Sequence, residues 1–200
     1  MTFKLLAVTT ASLALAVAAC NNKNSTDANE AASETSKEAA KAAGNNTIAA
    51  GLDKNSRFAQ AAKAAGLDAT LAGPEPYTVL VPTDAAFANA QGAMADPSKP
   101  ESRAELTRVL TLHILPGMVL ADDLSKAIDN GKGKALIQTM GGETLTATKD
   151  GGKIVLTDAS GGKATITKAD DVFSNGVVHH LDAVLMPAKQ GAAPPTKAGQ

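Results

Sequence analysis

An α+β domain is the fold class this sequence predicts, with helices gathered in the first half and an antiparallel sheet in the second. Three observations carry the expectation. Before Pro116 the apolar residues recur mostly at helical spacing, whereas after Lys134 they fall in short runs rich in Thr, Val, Ile and Leu. Glycine pairs at Gly141-Gly142, Gly151-Gly152 and Gly161-Gly162 separate several of these runs, as hairpin turns do. Within the first half, Tyr77-Thr78-Val79-Leu80-Val81 has the β-branched and aromatic content of a strand. Pro82 stops it by bringing no N–H, and Thr83 or Asp84 then caps a helix that carries Phe87 on its first turn.

Taken in order, the chain opens with a targeting segment, residues 1–19. Lys4 supplies a positive start, and Leu5 to Ala19 is an apolar run shorter than the ~20 residues a spanning helix needs. It ends in Val17-Ala18-Ala19-Cys20, and Cys20 is the only cysteine, so no internal disulfide can use it. The motif resembles the lipobox of bacterial lipoproteins, which implies cleavage before Cys20 and acylation of that residue, palmitate included. Residues 20–46 combine this cysteine with a polar tether. From Asn21 to Asn46 the tether has no large apolar residue and cannot offset its ordering entropy by burial.

The folded domain is expected over 47–188. Thr47–Leu52 gives a short helix, and Ser56 caps Arg57–Ala65, which Gly66 ends. Phe58, Ala61, Ala62 and Ala65 share the core face of that helix. A brief turn over Asp68–Leu71 precedes the strand at Tyr77, and Gln91–Pro100 reads as a polar loop. Glu101–His113 is the longest helix of the domain, with Ser98 or Glu101 near its start, a stripe of Leu106, Val109, Leu110 and His113, and Pro116-Gly117 at its end. A shorter helical piece falls around Asp122–Asp129. Strands then follow over Lys134–Met140, Glu143–Thr148, Lys153–Thr157, Lys163–Thr167 and Val177–Met186. Residues 189–200 form a Pro/Ala tail expected to be disordered.

Composition excludes some partners. Nineteen basic against twenty acidic residues leave no footprint for a polyanion, and four Phe, one Tyr and no Trp leave no stacking platform for single-stranded nucleic acid.

Three segments together resemble the fasciclin domain family. Thr78-Val79-Leu80-Val81-Pro82-Thr83-Asp84-Ala85-Ala86-Phe87 is similar to its first signature, and Asn175-Gly176-Val177-Val178-His179-His180-Leu181-Asp182-Ala183-Val184-Leu185-Met186-Pro187 to its second. Leu110–Gly117 resembles the central Tyr-His segment, with Leu112 where the tyrosine usually stands. The resemblance covers roughly Asn45 to Ala188 in a single copy. It implies a twisted antiparallel β-sheet wedge with several short helices packed around it. The signature positions it marks as structural are Thr78, Val79, Pro82, Thr83, Asp84, Phe87, His113, Asn175, Gly176, His179 and Asp182.

The three histidines are the residues to interrogate for chemistry. His179 and His180 are neighbours on a strand and point to opposite faces, so one ion cannot take both without a bulge. His113 and His179 read instead as buried polar residues whose ring nitrogens bond to backbone or to each other. No nucleophile elbow or phosphate loop is present, and the pairs Asp122-Asp123 and Asp170-Asp171 read as solvated loop charges. No catalytic, cofactor or metal residue is expected.

The function expected from these readings is that of a non-enzymatic binding module, exported and held at a membrane through Cys20. Asn21 follows the cysteine where an aspartate would resemble the inner-membrane retention signal of bacterial lipoproteins, so the resemblance implies the outer membrane. The family resemblance implies adhesion to a protein or polysaccharide partner. Carriage of an apolar pigment or lipid, and regulation within the envelope, are the alternative roles.

Overall fold

A strand that emerges from helices and runs straight back into one sits at the centre of the molecule. The computed structural model describes residues 44–90 and 102–188. The segment 1–19, Cys20, nearly all of the tether, the Gln91–Pro100 loop with Ser98 and Glu101, and the tail all lie outside the described residues.

The first helices are α1 (Ile48–Gly51), α2 (Arg57–Ala65) and α3 (Asp68–Ala72). Ser56 caps α2 by accepting from the Ala59 N–H at 3.2 Å, and Gly66 closes it in the left-handed conformation at φ 79°. Strand β1 (Tyr77–Pro82) and helix α4 (Asp84–Asn89) follow. Thr83 is the cap between them, its hydroxyl accepting from Ala86 N–H.

Helix α5 (Arg103–Leu112) stops earlier than expected. His113 is already outside it, and Ile114–Pro116 forms a short strand, β2, rather than a last helical turn. The apolar run Leu112–Leu115 has no period that separates helix from strand, so pairing with β1 decides the matter. Helix α6 (Ala121–Asn130) precedes the meander β3 (Lys134–Gln138), β4 (Thr144–Asp150), β5 (Lys153–Thr157), β6 (Lys163–Phe173) and β7 (Gly176–Leu181).

The seven strands form one sheet in the order β2-β1-β7-β6-β5-β4-β3. An all-antiparallel sheet is what the sequence predicts, and the sheet is mixed: β1 and β7 run parallel, while every other pair is antiparallel. Parallel neighbours need a long crossover between them. Here the whole meander is that crossover. The two edges of the sheet also approach each other, because Met140 N–H donates to Ile114 O at 2.7 Å and Gly141 N–H to Thr111 O at 3.1 Å.

Strand β6 runs six residues past its expected end. Its register shifts between Ile166 and Lys168 and again before Asp171, and Asp170 sits at φ 60°. That bulge interrupts the alternation a strand shows in sequence. Strand β7 is shorter than expected and ends at Leu181; Asp182 to Ala188 is irregular.

β1 is buried on both faces. Val79 and Val81 join Phe58, Phe87, Leu106 and Val109 in an upper core under α1–α5, and Leu80 joins Leu124, Ile128, Leu145 and Leu156 in a lower core closed by α6. Leu112, at the place of the family tyrosine, belongs to the lower core and is 1% exposed.

Candidate functional site

The two signature segments meet at β1 and β7. In register Val79 lies opposite Val178, Leu80 opposite His179 and Pro82 opposite Leu181. Gly176 permits the close start of this pair. Its φ is 150°, and a Cβ there would run into the Tyr77 carbonyl oxygen and Ile48 Cδ1.

Asn175 is the hub beside it, 4% exposed. Its Oδ1 accepts from Ile48 N–H at 2.8 Å, and its Nδ2 donates to Leu71 O at 2.8 Å and to Gly73 O at 2.7 Å. One side chain thus closes the start of α1 and the end of α3 onto the sheet. The backbone carbonyl of Asn175 also accepts from Tyr77 N–H at 3.1 Å.

The other signature side chains are used in the same manner. Buried Thr78 donates its hydroxyl to Gly117 O and accepts from Val119 N–H, both at 2.8 Å. Asp84 accepts from Arg57 N–H at 2.9 Å and so ties α4 to the first turn of α2. Asp182 accepts from Thr165 N–H at 2.6 Å and holds the chain after β7 to β6. Phe87 meets Phe58 edge to face, with centroids 6.4 Å apart.

His113 and His179 are both fully buried and bond to backbone, not to each other. His113 Nδ1 lies 2.7 Å from Val109 O, and its Nε2 accepts from Leu185 N–H at 3.1 Å. His179 has the opposite arrangement: Nε2 lies 2.9 Å from Val119 O, and Nδ1 accepts from Asp170 N–H at 3.1 Å. A carbonyl accepts and an amide donates, so each ring is fixed as a neutral imidazole with the hydrogen on the carbonyl side. Burial pushes the His113 ring down to about 4, against the opposing pull of Val109 O and the Asp158 carboxylate. Burial lowers His179 as well.

His180 points to the other face and is about a third exposed. Its Nε2 is 2.9 Å from Asp171 Oδ2, and Lys168 Nζ is 2.7 Å from Asp171 Oδ1. Partial burial raises the Asp171 carboxyl, but the bonds from Lys168 and His180 outweigh it and leave the group below its ordinary value. The predicted pair Asp122-Asp123 divides in a similar way, Asp122 pairing with Lys126 at 2.6 Å and Asp123 accepting from Leu120 N–H at 3.3 Å. Among the described residues no group of three or more His, Cys, Asp or Glu could hold a metal ion.

Sequence reasoning missed Asp158, which is 5% exposed. It accepts from Ser160 N–H and Gly162 N–H within its own turn, and from Met186 N–H across the domain, all at 2.8 Å. The Asp-Ala-Ser-Gly-Gly run carried a readable signal for the turn. Nothing local announced the bond to Met186, 28 residues away.

An open hollow of about 420 Å³ lies where the two signatures end, between Ala86 of the first, Asn89 and Ala90 just beyond it, and Asp182, Ala183, Val184 and Met186 of the second.

A model of the fasciclin domain matches residues 53–187. The chain is 34% identical over 141 residues to protein sll1483 of Synechocystis sp., covering 70% of this chain and 71% of that one. It is 28% identical over 127 residues to transforming growth factor-beta-induced protein ig-h3 of Sus scrofa, covering 64% of this chain but only 17% of the much longer animal protein. Among solved structures, a FAS1 domain pair from the insect cell adhesion molecule fasciclin I superposes with a TM-score of 0.59 at 16% identity, over 70% of this chain and 50% of that chain.

Proposed function

Because the chain belongs to the fasciclin domain family, we propose that it is a non-enzymatic binding module that is exported, hung from a membrane by an acylated Cys20 and engaged in adhesion to a protein or polysaccharide partner. One observation supports the binding-module reading above the others. The buried signature side chains Asn175, Thr78, His113 and His179 spend their polar atoms on backbone groups of the domain itself, and the exposed Asp84 and Asp182 each commit one carboxylate oxygen in the same way. Side chains so engaged brace a scaffold, and recognition on a rigid scaffold falls to its exposed loops and surfaces.

The membrane reading rests on Val17-Ala18-Ala19-Cys20 and the polar stretch after it. Several acyl chains on one residue give firm attachment, since each buried CH₂ contributes ~0.8 kcal/mol. Replacing Cys20 by Ser moves the protein from the membrane fraction to the soluble fraction if the anchor is real, and leaves it with the membranes if it is not. Protease treatment of whole cells then tells an outward-facing adhesin, which is digested, from an inward-facing envelope protein, which is spared.

The hollow between Ala86 and Val184 favours a second reading, carriage of an apolar small molecule. Solvent extraction of the purified protein distinguishes the two. A stoichiometric pigment or lipid supports carriage, and an empty extract supports adhesion.

A further inference from the structure

We propose that His179 and Asp170 form an acid-operated latch on the start of α6: a proton taken up at His179 Nδ1 draws the Asp170 carboxylate off Ala121 and releases the helix end and the β6 bulge together.

The geometry gives one carboxylate two claimants. At rest Asp170 Oδ1 accepts from Ala121 N–H, the first amide of α6, at 2.9 Å. The same oxygen lies 3.8 Å from His179 Nδ1. That nitrogen is occupied by the Asp170 N–H at 3.1 Å, while Nε2 faces Val119 O at 2.9 Å. A neutral ring satisfies both contacts. A second ring proton can go only to Nδ1, where it points at the Asp170 N–H, donor against donor. The acceptor at hand is the Asp170 carboxylate, 39% exposed and so free to turn, and closing from 3.8 Å to an ordinary charged bond of ~2.8 Å is a shift of ~1 Å.

Asp170 is already poised for such a change. It is held at φ 60°, an uncommon conformation for a residue other than glycine, inside a register shift of β6. The bond to His179 is one of the contacts that hold it there. Losing the bond lets the bulge relax, and losing the carboxylate leaves the first turn of α6 without its cap from β6. The remaining support at that turn is Asp123, which accepts from Leu120 N–H. Helix α6 carries Leu124 and Ile128 into the lower core beside Leu145 and Leu156, so its loosening uncovers part of that core.

The charges around His179 are few. Asp170 and Asp171 from β6 favour the proton, the latter already shared between Lys168 and His180, and His180 on β7 opposes it. Leu80 of β1 stands opposite in register and is apolar. Burial holds the ring below its ordinary range, so the latch opens on the acid side of neutrality.

Amide hydrogen exchange of the full chain in detergent tests the latch, with the His179 ring followed by its nitrogen-15 shifts from pH 7.5 downward. As the ring protonates, exchange at Ala121 and Asp170, corrected for the intrinsic effect of pH, rises about tenfold while Val79–Val81 stay protected. In Asp170→Asn the amide oxygen can still accept from Ala121 but offers no charge to the imidazolium, and the response at Ala121 disappears. A wild-type response that survives in D170N overturns the latch. So does simultaneous loss of protection in β1, or a ring that stays neutral until the whole domain unfolds.

Discussion

Val79 lies opposite Val178 in the only parallel pair of the described sheet, and both side chains enter the upper core. The two residues are 99 positions apart in sequence, and the described elements between them, five strands and three helices, are folded out and back to allow the pairing. The first signature therefore has no sheet neighbour on that side until the second arrives. Contacts of this kind are slow to form, because a long loop must close before they contribute.

The start of that pair has no room for a side chain. Gly176→Ala places a methyl against the Tyr77 carbonyl and Ile48, at a φ of 150° that alanine rarely adopts. A loss of at least about 3 kcal/mol is expected, since main chain cannot step aside as a flexible side chain can. Urea unfolding monitored by circular dichroism measures it, and a midpoint within error of the wild type would mean that β1 and β7 stand further apart than described.

Phe87 joins strand and helix to α2 through its edge-to-face contact with Phe58 and is 1% exposed. Phe87→Ala is expected to lower stability by ~3–5 kcal/mol, the range for emptying a buried aromatic site. Leu136→Ala, at a side chain 72% exposed, serves as the control and changes stability by less than ~0.5 kcal/mol.

Stability depends on pH through the two buried histidines. In the unfolded chain both rings bind a proton as pH falls through the ordinary value of 6.5, whereas folded His113 resists until about 4. The unfolded state thus holds more protons in that window, and stability falls as pH falls through it. For His113 alone the loss between pH 7.5 and 4 amounts to about 3 kcal/mol. His179, also lowered, adds to it with the same sign. Urea midpoints taken at half-unit steps measure the slope, and a flat profile from pH 7.5 to 4.5 contradicts neutral, buried rings.

Much of this arrangement was legible in the sequence because it is local. Ser56 with Gly66, Thr83 after Pro82, and Lys153–Thr157 between glycine turns each carry their structural cause within a few residues. His113 and His179 read correctly as buried because they stand in apolar surroundings. The parallel sense of the β1–β7 pair was not legible, since strand patterns state which face is buried and not the direction in which a neighbour runs. The bulge at Asp170 broke the alternation that would have extended β6. The long-range bonds of Asp158 and Asn175 left no local trace either; Asn175 was marked by family resemblance, but its three partners lie 102 to 127 residues away.

Whether the signature side chains brace the fold is read most directly from denaturant unfolding of Asn175→Ala. The substitution strips Ile48 N–H and Leu71 O of a buried partner and Gly73 O of a half-buried one. Each orphaned group costs about 1–3 kcal/mol, so a loss of about 3 kcal/mol or more is expected, with the slope of the transition unchanged. A variant as stable as the wild type, within ~0.5 kcal/mol, would mean that the three bonds of Asn175 do not hold the helices to the sheet.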